Sequence, residues 1–170
     1  RKIIFLLFCL ANITVSFNFA ALAAVVPVMS HDLMASEMVV SQVSAYYMIP
    51  YGLGALLYAP LSRWFSFKAI LATAMVAYAV LNFLCAGVAS IPLILLARAV
   101  MGLAAACVIP LCLISIGTVF ERETRGRLVG LFFSTSFMAS VAGLAVSGIF
   151  HWRWLFVLPA ILALMTAALM

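Results

Sequence analysis

Charge is almost absent from long stretches of this sequence, and that limits the fold more than any motif does. Residues 3–30, 38–62 and 128–150 carry no Asp, Glu, Lys or Arg, and residues 69–120 carry only Arg98. The chain is 69% hydrophobic and 8% charged, whereas soluble domains are about 25% charged. A soluble fold of 170 residues cannot hide so much apolar surface, so lipid must solvate most of it. Strands of a membrane barrel would alternate in polarity over about ten residues, and no stretch does.

A helix needs about 20 apolar residues to cross the hydrocarbon. The uncharged runs therefore predict six transmembrane helices, near 3–28, 39–61, 69–87, 91–119, 128–149 and 153–170. The Gly-, Ser- and Pro-containing "GVASIP", 87–92, supplies the turn that divides the longest run. The "RK" start resembles the front of a signal peptide. The first run is too long for one and lacks a clean cleavage context, so it reads as a span. The sixth span stops at Met170 without a flanking charge. Residues 1–170 therefore read as one six-helix bundle, a fragment or half of something larger.

Basic residues orient the bundle. Arg1, Lys2, Arg63, Lys68, Arg122, Arg125 and Arg127 fall at one end, and only Arg153 falls at the other, with Asp32, Glu37, His31 and His151. The first end is expected to be cytoplasmic, with both chain ends on that side. The same scatter of a few basic residues at span ends excludes nucleic acid as a partner. Cys9, Cys85, Cys107 and Cys112 lie in apolar runs without CxxC or Cys/His spacing, so they read as small buried hydrophobes. No metal or cofactor is implied. An intramembrane enzyme would need an acid, a base or a metal at membrane depth, and no span contains a histidine or an acid.

Arg98 is the exception inside the apolar runs. Its guanidinium stays charged, and at mid-bilayer it costs about 2.5–3.5 kcal/mol on insertion scales. No carboxylate occurs at its depth, so its donors must meet amide, phenol or backbone oxygens, water or a ligand. At 1.5 Å per residue it lies about 10 Å below the outer end of its span. Asn18, Tyr46 and Ser140 fall at similar depth, with Asn12, Gln42, Tyr47 and Ser136 near enough to join. This predicts a polar layer along a substrate path, with azimuth unread. An uncompensated cation would modestly favour a neutral polar or anionic substrate.

Small residues follow Arg98, beginning with Gly102, and Ala139, Gly143 and Ser147 repeat every fourth residue in span five. Such residues let helices approach closely and rock against one another. Pro50 and Pro110, inside spans two and four, should bend their helices. "PLSRWFSFKAIL", 60–71, and "GIFHWRWLFVLP", 148–159, both read as helix, tight aromatic–basic loop, helix, which fits a 3+3 inverted repeat.

"LLARAVMGLAAA", 95–106, carries Arg98 and Gly102 in a pattern that resembles the fourth-span motif of the major facilitator superfamily. "WRWLF", 152–156, resembles the opening of span six in its drug-efflux-like members. "ERETRGRLVGL", 121–131, is similar to the loop between spans four and five, with Arg125 and Gly126 in place. The resemblance covers essentially the whole chain. It implies the amino-terminal six-helix half of a twelve-helix secondary transporter in the plasma (bacterial inner) membrane. It also implies alternating access, a role for Arg98 in substrate or proton coupling, and export of a drug or metabolite as an antiporter. Spans one, two, four and five would face the path, and three and six the lipid. The partners implied are a small molecule, membrane lipid, and a second six-helix half or another copy of the chain. The competing reading is a non-transporting receptor or assembly subunit on the same fold. Three departures stand out. In the loop between spans two and three, Leu61 and Lys68 fit, but Ala59, Arg63 and Ser66 replace glycine, aspartate and glycine; Glu121 or Glu123 is left to pair with Arg63. Span one has Asn12 and Asn18 where proton antiporters often carry an acid. Span five keeps Gly143 and Gly148 without the antiporter proline.

Overall fold

The computed structural model describes residues 2–170 as α1 (Lys2–Ala24), α2 (Val26–Asp32), α3 (Glu37–Leu61), α4 (Phe67–Gly87), α5 (Ile91–Ala105), α6 (Val108–Val119), α7 (Arg122–Ser147) and α8 (Trp154–Ala168). No strand occurs among the described residues. Arg1, counted above among the basic residues, lies outside them. The eight segments trace six columns, because α1 with α2 and α5 with α6 each form one.

Those two columns are interrupted where unbroken spans were expected, and prolines explain both breaks. Pro27 has no N–H to give, and its ring crowds the carbonyl four residues back, so the helix opens at Val25 (φ −103°, ψ 8°) and restarts as α2. Pro110 likewise leaves the Ala106 carbonyl without its helical partner, and the column breaks at Ala106–Cys107 before continuing as α6. Pro50 sits inside α3 without interrupting it. By length and hydropathy, α1, α4, the α5–α6 column and α7 can each cross a membrane. The third helix, α3, is as long but carries Ser41, Gln42, Ser44 and four tyrosines, Tyr46, Tyr47, Tyr51 and Tyr58; α8 is apolar but only 15 residues long.

The inverted repeat is visible in which columns touch. The five most extensive contacts are α1 with α7, α3 with α5, α4 with α8, α4 with α5, and α1 with α8. Exchanging the first three columns for the last three turns the first pair into the second and the fourth into the fifth, and returns the third to itself. Close backbone approach sustains the first two pairs. A Cβ on Gly102 would strike the Tyr47 carbonyl oxygen of α3, and one on Gly143 would stand 2.6 Å from the Phe17 carbonyl oxygen of α1. Both positions need glycine for that reason.

At one end, α2 and the segment before α8 are tied together. Asp32 Oδ2 accepts from Trp152 Nε1 at 2.8 Å and lies 3.0 Å from His151 Nε2. Beside them, Arg153 Nη1 donates to the Ala86 carbonyl at the end of α4, and its guanidinium stacks over the Trp152 ring. At the other end, Arg63 pairs with neither Glu121 nor Glu123, contrary to the expected replacement latch. The ion pairs among the described residues are both on Asp32. Arg125 instead donates to the Phe120 carbonyl at 3.0 Å, closing the end of α6, and Glu121 stands at the start of α7.

Candidate functional site

Arg98 is fully buried within the bundle rather than set against lipid. It projects from α5 into oxygens supplied by other columns. Nη1 donates to Asn18 Oδ1 of α1 at 2.6 Å, and Nε reaches the Val43 carbonyl of α3 at 3.4 Å. The guanidinium carbon lies 4.2 Å from the centre of the Tyr47 ring. A charge-assisted hydrogen bond contributes about 1.5–3 kcal/mol, and a desolvated cation–π contact about 2 kcal/mol. Together, at about 3.5–5 kcal/mol, they meet or exceed the insertion cost of about 2.5–3.5 kcal/mol. The cation is therefore tolerated without a carboxylate.

The network continues through Asn18. Its Nδ2 donates to Asn82 Oδ1 of α4 at 3.1 Å and to the Leu155 carbonyl of α8 at 3.0 Å, while Asn82 Nδ2 donates to the Tyr78 carbonyl at 2.8 Å. This corrects the expectation that spans three and six only face lipid. On α4 the buried set Ile70, Leu71, Ala74, Met75, Tyr78, Ala79, Asn82 and Cys85 follows the helical repeat, and Val76, Val80 and Phe83 lie on the outer face. Asn82 was missed although it is the one amide in that span. Its spacing from Tyr78 and Met75 would have put it on the buried side. Arg98 Nη2, Tyr47 Oη and Tyr78 Oη are buried without a hydrogen-bond partner among the described residues.

The polar residues grouped by depth do not close into one layer. Asn12, six residues from Asn18, lies about 9 Å along α1 on another face. There it joins α1 to α7, donating to the Phe132 carbonyl at 2.9 Å and to Thr135 Oγ1 at 3.2 Å, and accepting from Ser136 Oγ at 2.8 Å. Ser140 donates to the Ser136 carbonyl and lines a separate groove of about 170 Å³ with Val15, Ser16, Phe19, Tyr47, Met48 and Tyr51. Tyr46 is 47% exposed and turns to the outer α3–α5 surface beside Leu95 and Leu96, whereas its neighbour Tyr47 is 1% exposed. Tyr47 is thus the shared element. It walls the groove, pairs in near-parallel orientation with the Phe19 and Tyr51 rings, and lies against Arg98. The four cysteines are buried and free.

A ring that separates a groove from a buried cation, inside a bundle of two inverted three-helix units, is the arrangement of a membrane protein with a central polar core. Comparison with known proteins agrees. The profile of the Major Facilitator Superfamily matches residues 8–170. The probable efflux pump mfs2 of Aspergillus flavus is 31% identical over 79% of this chain and 34% of its own length. Efflux pump hmp6 of Hypomyces subiculosus is 28% identical over 87% of this chain and 27% of its own length. The chain thus spans about a third or less of these curated relatives. A crystal structure of a D-xylose–proton symporter superposes with a TM-score of 0.84 over 99% of this chain and 47% of that one, at 17% identity, a likeness of fold. The chain is an integral membrane protein and belongs to the Major Facilitator Superfamily.

Proposed function

We propose that this chain is the amino-terminal six-helix half of a secondary transporter that exports a small molecule from the cytoplasm by alternating access. One observation carries the reading: Tyr47 lies between Arg98 and the groove lined by Ser16, Tyr51 and Ser140. Turning that ring aside exposes a guanidinium whose Nη2 has no partner among the described residues, beside two serine hydroxyls. Such a surface takes a neutral polar or anionic substrate in preference to a lipophilic cation. A second six-helix bundle, from further chain or from another copy, closes the far wall of the path. The close α3–α5 and α1–α7 contacts at Gly102 and Gly143 supply smooth faces for rocking. The basic end carrying Arg63, Lys68, Arg122, Arg125 and Arg127 faces the cytoplasm of a bacterial inner membrane, with both chain ends on that side. No acid lies within a span of this half, so proton coupling would need an acid supplied by further chain rather than by another copy.

The efflux-pump names of the relatives support the export direction. Flux of candidate substrates into inside-out vesicles containing the complete protein tests the proposal. Arg98→Ala is expected to abolish flux while leaving folded protein, and Tyr47→Phe to retain it. Normal flux through Arg98→Ala refutes the role of the cation. Binding of substrate without flux in the unsubstituted protein favours a receptor instead.

A further inference from the structure

The walls of the Tyr47 groove narrow what can occupy it. Three of its side chains are aromatic. The Tyr47 ring lies 24° from the plane of Phe19 and 20° from that of Tyr51, with ring centres 6.2 and 5.9 Å apart. Phe19 and Tyr51 are half-buried and line the groove, so ring surface on both is open to an occupant. Two lining side chains are hydroxyls. Ser140 gives its proton to the Ser136 carbonyl, which leaves Ser16 to donate. The groove holds about 170 Å³. An apolar cavity of about 150 Å³ accommodates one benzene, so the space suits a single ring.

Charge sets the second condition. Arg98 is the one charged residue between positions 69 and 120. Its Nη1 is taken by Asn18 and its Nε turns to the Val43 carbonyl, which leaves Nη2 without a partner among the described residues. Tyr47 Oη is also without one, so no hydrogen bond from the phenol holds that ring over the cation. One guanidinium balances one negative charge, and a dianion would leave a charge unpaired at membrane depth. A bare inorganic anion would pair with the cation but leave the aromatic walls uncovered. We infer that the groove binds a single-ring aromatic carboxylate, its ring against Phe19 and Tyr51 and its carboxylate on Arg98 Nη2 and Ser16 once the Tyr47 ring turns aside, a substrate class that rests on the transport reading above.

Equilibrium binding of radiolabelled benzoate to the complete protein in detergent, at about pH 7 where a carboxyl is ionised, tests this. Benzamide, of the same shape but neutral, is expected to bind roughly 10-fold more weakly, because it forfeits the charge-assisted bond. Cyclohexanecarboxylate keeps the charge and lacks the aromatic face, and should bind roughly 2- to 13-fold more weakly. Met48→Trp, at an exposed position on the groove wall, fills the space and is expected to abolish binding with a native helical melt. Arg98→Gln is expected to bind benzoate and benzamide equally. The site is overturned by a lack of saturable benzoate binding, or by benzamide or cyclohexanecarboxylate binding as tightly as benzoate. Binding that survives Met48→Trp, or a charge preference that survives Arg98→Gln, also overturns it. Should Arg98→Gln not fold, the ligand series on the native chain and Met48→Trp decide. Flux into inside-out vesicles separates the two levels. Benzoate bound in the groove but not carried upholds the site and removes the transport reading; another compound carried without benzoate binding keeps transport and overturns the aromatic acid.

Discussion

Replacing Asn18 by alanine tests whether the buried cation is held by the bonds drawn to it. The side chain serves three other columns. It accepts from Arg98 on α5, and donates to Asn82 on α4 and to the Leu155 carbonyl on α8. Alanine leaves one charged donor and two oxygens unpaired in a site closed to water. Hydrogen bonds between membrane helices average about 0.6 kcal/mol, so three of average strength give a lower value of about 2 kcal/mol. Removing the partner of a buried charge costs about 3–5 kcal/mol, which sets the upper value. The folding equilibrium should therefore fall roughly 30-fold to several-thousand-fold. Asn18→Asp keeps the shape and gives the guanidinium a carboxylate, but forfeits both donated bonds, so it should lie between the native chain and Asn18→Ala. Unfolding in mixed micelles of a mild detergent and dodecyl sulfate, followed by helical signal, measures all three. Arg98→Met in the same assay completes a double-mutant cycle, and the double variant should cost at least about 1 kcal/mol less than the two single changes combined. An Asn18→Ala protein within about 0.5 kcal/mol of native, or an Asn18→Asp protein weaker than Asn18→Ala, refutes the account.

Gly102→Val should prevent stable folding, because a side chain there drives α5 off the Tyr47 carbonyl, whereas Gly130→Ala, which meets nothing within 4 Å, should be neutral or stabilise by up to about 1 kcal/mol; thermal melts in detergent decide. Met34 stands at φ 50°, in the position where the α2 end closes with Ala35 N–H on the Ser30 carbonyl and Met34 N–H on the His31 carbonyl. Glycine is preferred at such a position, so Met34→Gly should raise stability by about 1 kcal/mol, and an unchanged melt contradicts the strain. The Trp152 indole N–H, with His151 beside it, holds the Asp32 carboxyl below the usual carboxylate range. A carboxyl lowered in the folded state contributes stability above about pH 4, its unfolded value, and loses it as pH falls through the folded one. Melting temperature should therefore drop more steeply below pH 4 in the native chain than in Asp32→Asn. Parallel curves would remove Asp32 from the acid response.

Six columns were legible because lipid makes charge placement a direct record of depth. Runs without charge cross, and basic residues mark the ends. Depth says nothing about direction around a helix. Tyr46 and Tyr47 are equivalent by depth, yet a 100° step sends one to the outer surface and the other onto Arg98. Asn12 and Asn18 likewise serve different partners, α7 in one case and Arg98 in the other. Pro110 signalled a disturbance, but whether a proline bends a helix, as a bend was expected there, or interrupts it depends on packing around the freed carbonyl. Asp32 and Trp152 lie 120 residues apart, and only closure of the bundle brings them together.

The bonding around Arg98 is unevenly shared between the two inverted units, and this fixes which column can shift at least cost. Its network takes Asn18 from column one, Val43 and Tyr47 from two, Asn82 from three, and Leu155 from six. Column five, α7, contributes nothing to it. That helix packs chiefly on α1, and little of its length is buried. Its polar ties to α1 are the Asn12 bonds to Phe132, Thr135 and Ser136, and Arg125 ties its first turn to the Phe120 carbonyl. Its pseudo-symmetric partner α3 is also applied against a single column, α5, but is fastened to the cation by a carbonyl and a ring. Sliding α3 disturbs a charged contact, while sliding α7 disturbs neutral hydrogen bonds worth about 0.6 kcal/mol each in a membrane bundle. Movement between α3 and α7, which wall the Tyr47 groove together with α1, is therefore expected to begin at α7, with α3 and Arg98 as the fixed side.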